Sequence, residues 1–173
     1  AAGIPTSTLH TNIWYHLGLA YFLKHDFVNA ERAFRNCLEL ANNNDMRVAT
    51  LDWLYMTLCR LNRQQEGQPL IQQVSVQMEI LENHPYHRRL LMYQGVLQPE
   101  DLLGDWSKID LADKQTAVEL ATNGFGVGHW YLIQGETEKG LALLKKVTAT
   151  ANWGAFGFIA AEVELSPPDA KQN

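Results

Sequence analysis

Only two cysteines, Cys37 and Cys59, occur in the 173 residues. That is too few for the disulfide framework of a small secreted module, and their spacing matches no zinc site. Both fall within helical patterns, where cysteine behaves as a small core residue, so free thiols are expected. No run of about 18 apolar residues is present, and none of the sequence reads as a transmembrane helix. Positive charge is scarce as well. Fourteen Lys and Arg against nineteen Asp and Glu leave a formal charge of −5, which gives no attraction toward a phosphate backbone, and no basic run is interleaved with aromatics. Nucleic acid is therefore not an expected partner. The two short basic runs, His87-Arg88-Arg89 and Lys145-Lys146, read as solvated faces.

Recognisable chemistry is also missing. Gly124-Phe-Gly-Val-Gly128 has the look of a dinucleotide loop, but that loop must follow a strand and open a helix, and its third glycine would fall at His129. His84 and His87 with Glu82 have the spacing of two metal ligands and lack a third. There is no serine elbow and no cysteine paired with a placed histidine; Asp52 beside Trp53 comes nearest to a general base and reads better as a polar contact on a helix. No cofactor, no metal and no enzymatic activity are expected, with an enzyme of unrecognised site as a remote third alternative.

What the chain does contain is a hydrophobic fraction of 46% with 19% charged residues, the balance of a folded protein. Its length suits a single domain over 1–173. Trp14, Leu17, Gly18 and Tyr21 recur at the spacing of one helix stripe, and after a break at His25 and Asp26 a second period runs through Phe27, Ala30, Phe34 and Cys37. Gly18, Ala30 and Ala33 would let the two backbones approach while Trp14, Tyr21 and Phe34 fill the flanks.

This order, W-x2-L-G-x2-Y followed by A-x3-F, resembles the tetratricopeptide repeat at every position of the pattern. The resemblance implies an all-α fold of stacked antiparallel helix pairs, a TPR-like α-solenoid. Residues 1–10 read as an extended lead-in, and repeat 1 spans 11–41, with Thr11 or Asn12 as the N-cap of its first helix. Repeat 2 spans 46–81, with Leu51, Leu54, Tyr55 and Leu58 on its first helix, and Gly67, Leu70, Ile71 and Val74 on a second helix expected from Gln65 to Leu81. Residues 82–120 are an irregular insertion or a degenerate repeat, with short helices starting at Pro85 and Pro99. Repeat 3 spans 121–150, where Gly124, Val127, Gly128 and Tyr131 return to the first spacing and Gly140, Leu144 and Val147 to the second. Glycines inside that helix cost about 1 kcal/mol each against alanine, a loss expected to be offset by Trp130, Tyr131 and Trp153 pressed on the glycine face. A capping helix over 152–165 would close the stack. The stretch 126–165 is also similar to the C-terminal part of bacterial repeat proteins with no assigned activity.

In the resembled family the second face of each first helix lines a concave groove. Carried over, that groove takes Asn12, Tyr15, Leu19 and Phe22, then Asp52, Met56 and Arg60, then Thr122, Phe125, His129 and Leu132. Such an apolar floor suits a hydrophobic or aromatic peptide better than an acidic tail. The expected function is a scaffold or adaptor that binds another protein; the alternative is a subunit permanently assembled in a larger complex, with Trp130, Trp153, Phe156 and Phe158 as contact residues. The compartment stays open between exported and cytoplasmic, and an Ala1-Ala2-Gly3 start without Met is expected of a processed form.

Overall fold

Residues 5–111, 114–150 and 152–166 are described by a computed structural model. The first four residues of the lead-in expected over 1–10, and the tail with Pro167 and Pro168, lie outside the described residues. The fold is all-α, with antiparallel helix pairs following one another in sequence. The chain forms two compact units, Ala1–Val96 and Leu97–Asn173.

In the first unit, α1 (Leu9–Leu23) pairs with α2 (Phe27–Leu40), and α3 (Asn44–Arg60) pairs with the short α4 (Gln64–Ile71) before α5 (His84–Tyr93) closes the unit on α3. The first helix begins ahead of the expected Thr11 or Asn12 cap. Thr8 is the N-cap, its hydroxyl accepting from Thr11 N at 3.2 Å while its own N–H donates to Thr11 Oγ1 at 2.8 Å. Thr11 thus completes a reciprocal box that satisfies two end groups of the backbone.

The closest approach in the first pair lies at Gly18, where an added Cβ would stand 2.5 Å from Phe34 Cε1. The α3–α4 pair inverts the arrangement. Tyr55 stands where the first pair has Gly18, and the small residue has moved to the second helix, where a Cβ on Gly67 would meet Tyr55 Cδ2 at 2.7 Å. One bulky and one small residue fill the contact in either order.

Helix α4 stops ten residues short of the expected Leu81. Val74-Ser75-Val76, two β-branched residues around a serine, is poor helix material, and the carbonyls released at the end find tertiary partners instead. Gln94 Nε2 donates to the carbonyls of Ile71 and Val74, and His87 Nε2 to that of Ser75 at 2.9 Å. At the far end of this strap Asp45 accepts from the N–H groups of Leu81, Glu82 and Asn83. The segment between α4 and α5 is therefore fastened at both ends.

Four helix C-termini share one cap. His25, Asn62, Gly95 and Gly135 all adopt positive φ, between 58° and 82°, and the next residue in each case donates back five residues: Asp26 to Tyr21, Arg63 to Leu58, Val96 to Leu91 and Glu136 to Tyr131, at 2.8 to 2.9 Å. This is the Schellman motif. Tyr21, Leu58 and Tyr131 hold the same repeat position, and Leu91 takes it in α5. Helix α5 thus ends in the same way as α1, α3 and the helix before Gly135.

The second unit contains α6 (Pro99–Leu103), one 3-10 turn at Trp106–Lys108, α7 (Lys114–Ile133), α8 (Thr137–Thr148) and α9 (Phe156–Leu165). Helix α7 starts earlier than repeat 3 was expected to. Its glycines are offset by aliphatic side chains of α8 and not by tryptophan. Gly124 meets Val147, and a Cβ on Gly128 would stand 2.7 Å from Leu144 Cδ2. Trp153, expected on the glycine face, is 77% exposed. Helix α9 packs on α7 and α8, with Gly157 against the backbone oxygen of Ala121.

Candidate functional site

Helix α3 decides what the first unit can offer a ligand. It is buried on nearly every side from Asp45 to Leu58, because α1, α2, α4 and α5 all pack on it. A helix covered all round tolerates polar residues only where they are paired. Asp52 is such a residue, and it answers Arg89 of α5. Arg89 Nε donates to Asp52 Oδ1 at 2.9 Å and Nη2 to Oδ2 at 2.6 Å, with side-chain exposures of 3% and 0%.

Four tyrosines gather around this pair. The Arg89 guanidinium lies 4.6 Å from the Tyr86 ring centroid, the Tyr15 hydroxyl donates to that of Tyr86 at 3.3 Å, and Tyr93 of α5 stacks on Tyr55 of α3 at 4.9 Å. Burial pushes the Asp52 carboxyl up, against the opposing pull of Arg89. Burial also pulls on Arg89, but Asp52 outweighs it and holds the guanidinium charged. Burial raises the Tyr15 and Tyr93 hydroxyls well above the usual phenol value, so both stay protonated and neutral. The cluster holds α1, α3 and α5 together and presents no open face for a substrate.

The expected groove is accordingly corrected. Tyr15, Leu19, Phe22, Asp52, Met56, Phe125 and His129 are all interior residues. Asn12, Arg60, Thr122 and Leu132 are half-buried. Phe22 packs edge-on against Trp53 at 5.1 Å, and Arg60 lies 4.7 Å from the Phe27 ring centroid. On the face that the repeat pattern assigned to a groove, α5 covers Tyr15 and Asp52 through Tyr86 and Arg89. Phe125 and His129 belong to α7 in the second unit and are enclosed there.

Other sequence candidates are resolved as structural. His87 and Arg89 are buried and were not legible as such in a basic run; Arg88 alone of the three is exposed. Lys146 donates to the Ser107 carbonyl at 2.8 Å. His84 and His87 belong to no metal-binding group among the described residues. The glycines of 124–128 lie within α7, not in a strand-to-helix loop. Cys37 and Cys59 are free thiols, and Cys37 Sγ donates to the Thr11 carbonyl at 3.3 Å.

What remains on the surface is apolar. Leu9, Ile13 and Leu17 are 73%, 54% and 37% exposed along one stripe of α1. The sequence reading missed this stripe because Leu9 was assigned to the lead-in; the four-residue spacing of the three side chains was the signal that could have found it. Trp153 stands beside an open pocket of about 310 Å³ lined by Val118, Ala121, Thr122, Asn152, Gly154 and Ala155.

Residues 11–44 match the family model described as tetratricopeptide repeat. The match covers nearly all of α1 and α2, and it ends on the first residue of α3. This chain contains one such repeat. A repeat of this kind suggests a protein-interaction role and is typically non-catalytic. No curated protein and no solved structure shows significant similarity to the chain. No described helix is long and apolar enough to cross a membrane.

Proposed function

We propose that the chain is a scaffold that binds another protein reversibly through outward apolar side chains, without chemistry of its own. The observation that carries this reading is the tetratricopeptide repeat over residues 11–44, whose helix pair keeps an apolar stripe on its outer side. Exposed apolar side chains that recur along one face favour association, because their burial removes hydrocarbon from water. The concave groove is not carried into this reading, since its aromatic floor is interior.

Permanent assembly in a larger complex is the second reading, and Trp153 is the observation that favours it. A tryptophan 77% exposed beside a pocket is an anchor of the kind found at interface centres. Trp130 and Phe156 are half-buried and Phe158 is interior, so Trp153 is the member of the expected contact set that faces solvent most.

Isolation of a tagged chain from its native cells after mild crosslinking, followed by size-exclusion chromatography with light scattering, tests both. A scaffold should carry a stoichiometric protein partner that leaves on dilution without crosslinker. A permanent subunit should keep its partner on dilution and aggregate when expressed alone. A stable monomer that recovers no partner would overturn both readings.

A further inference from the structure

The repeat register shows what kind of element α1 lacks. Gly18 and Tyr21 of α1 correspond to Tyr55 and Leu58 of α3, so Leu9, Ile13, Leu17 and Ala20 correspond to Met46, Thr50, Leu54 and Thr57. All four α3 residues are buried, whereas all four on α1 are exposed. Within the chain α2, the second helix of the preceding pair, packs on α3; Cys37 Sγ lies 3.2 Å from Thr50 Oγ1, the counterpart of Ile13. Two of the four covered positions are threonines. The uncovered set, Leu-Ile-Leu-Ala, is the more apolar, which is the reverse of what solvent exposure favours.

We infer that the Leu9-Ile13-Leu17 face of α1 is a docking surface for one amphipathic α-helix of a protein partner, seated as α2 is seated on α3. The inference deepens the scaffold reading and rests on it for the source of the helix. The interface between α2 and α3 is continued one repeat toward the N-terminus, with the partner supplying the second helix. The occupant needs what α2 presents to α3: a small side chain at the closest contact, as Cys37 is against Thr50, on an otherwise amphipathic helix. A second copy of this chain is a poorer source. Its α2 has Ala30, Ala33, Phe34 and Cys37 already buried, and its α8 is covered by α9.

The probe is a synthetic peptide of residues 27–40 with a lactam staple between positions 28 and 32, both exposed in α2, because so short a helix is marginal in water. It is titrated into the intact chain and followed by methyl NMR and calorimetry. Saturable one-to-one binding is expected, with shifts concentrated at the methyls of Leu9, Ile13 and Leu17. Ile13→Glu should weaken binding by about tenfold or more, as loss of a central apolar contact does, while its melting temperature stays with wild type. Val28→Glu in the chain, on an exposed site of α2, should leave binding unchanged.

Silent methyls at the solubility limit of the peptide, or equal affinity in Ile13→Glu, would overturn the docking surface. Self-association of the chain that Ile13→Glu abolishes would give the face to a second copy and overturn the assignment of its occupant. Silent methyls with a tagged chain that still recovers its protein partner would remove this surface alone and leave the scaffold reading intact. Peptide binding by a chain that recovers no partner would do the opposite.

Discussion

Arg89 and Asp52 meet as a two-pronged ion pair between α5 and α3, with both side chains almost wholly removed from water. Charges buried this deeply add little net stability as a pair, yet loss of one partner strands the other in the core. Asp52→Ala or Arg89→Ala should each cost about 3–5 kcal/mol by chemical denaturation. The double replacement Asp52→Leu with Arg89→Met should cost less than either single change. Losses that simply add would show that the two side chains do not depend on each other.

Asp45 should give the first unit an acid-sensitive fastening. Burial alone would raise its carboxyl, but the N–H groups of Glu82, Asn83 and Leu81 outweigh that and hold it below the ordinary 3.8. A lowered folded value means that the stabilisation is complete above pH 3.8 and is lost as pH falls below it toward the folded value. Asp45→Asn should therefore destabilise at neutral pH by about 1.5–3 kcal/mol, the range for hydrogen bonds to a charged group. The difference from wild type should shrink in melts taken at progressively lower pH. A difference that is constant from neutral pH down through pH 3 would refute the linkage.

Gly18→Leu should destabilise strongly, because its first added carbon already collides with the fully buried Phe34 ring. Overpacking of this kind costs about 1–3 kcal/mol or more. A melting temperature equal to that of wild type would mean that α1 and α2 are not in close contact at this point.

Phe22→Ala tests the reassignment of the expected groove. Phe22 is interior and packs on Trp53, so truncation should cost about 3–5 kcal/mol, as core aromatic deletions do. A variant with unchanged stability and weakened partner binding would return Phe22 to a binding surface.

The two thiols should be slow to alkylate in the native state and fast after denaturation without reductant. Burial pushes Cys37 up from its usual value and Cys59 to about 11, which leaves little thiolate at pH 8. Iodoacetamide mapping by mass spectrometry should find both modified in denaturant, and Cys59, the less buried of the two, should react first in the native state. An intramolecular bridge would contradict the placement of both residues.

The helical pairs were legible because helix periodicity is local. The close approach at Gly18 could be anticipated from spacing alone, since one face of the helix had to meet the next helix in the chain, whereas Leu144 over Gly128 stands where tryptophan was expected. The turn at Gly135 was readable for the same reason, whereas His25 and Asn62 adopt the same left-handed conformation with side chains that carry only a modest preference for it.

By itself the sequence determined which helices form, in what order, and which residues are apolar. Only the tertiary structure decided which apolar face is covered. Periodicity marks a stripe without saying whether water or another helix lies over it, and the cover on Tyr15 and Asp52 comes from Tyr86 and Arg89, far along the chain and within a run that reads as basic and solvated. The same physics left Leu9, Ile13 and Leu17 open: among the described residues no helix lies over that face of α1 as α2 lies over α3.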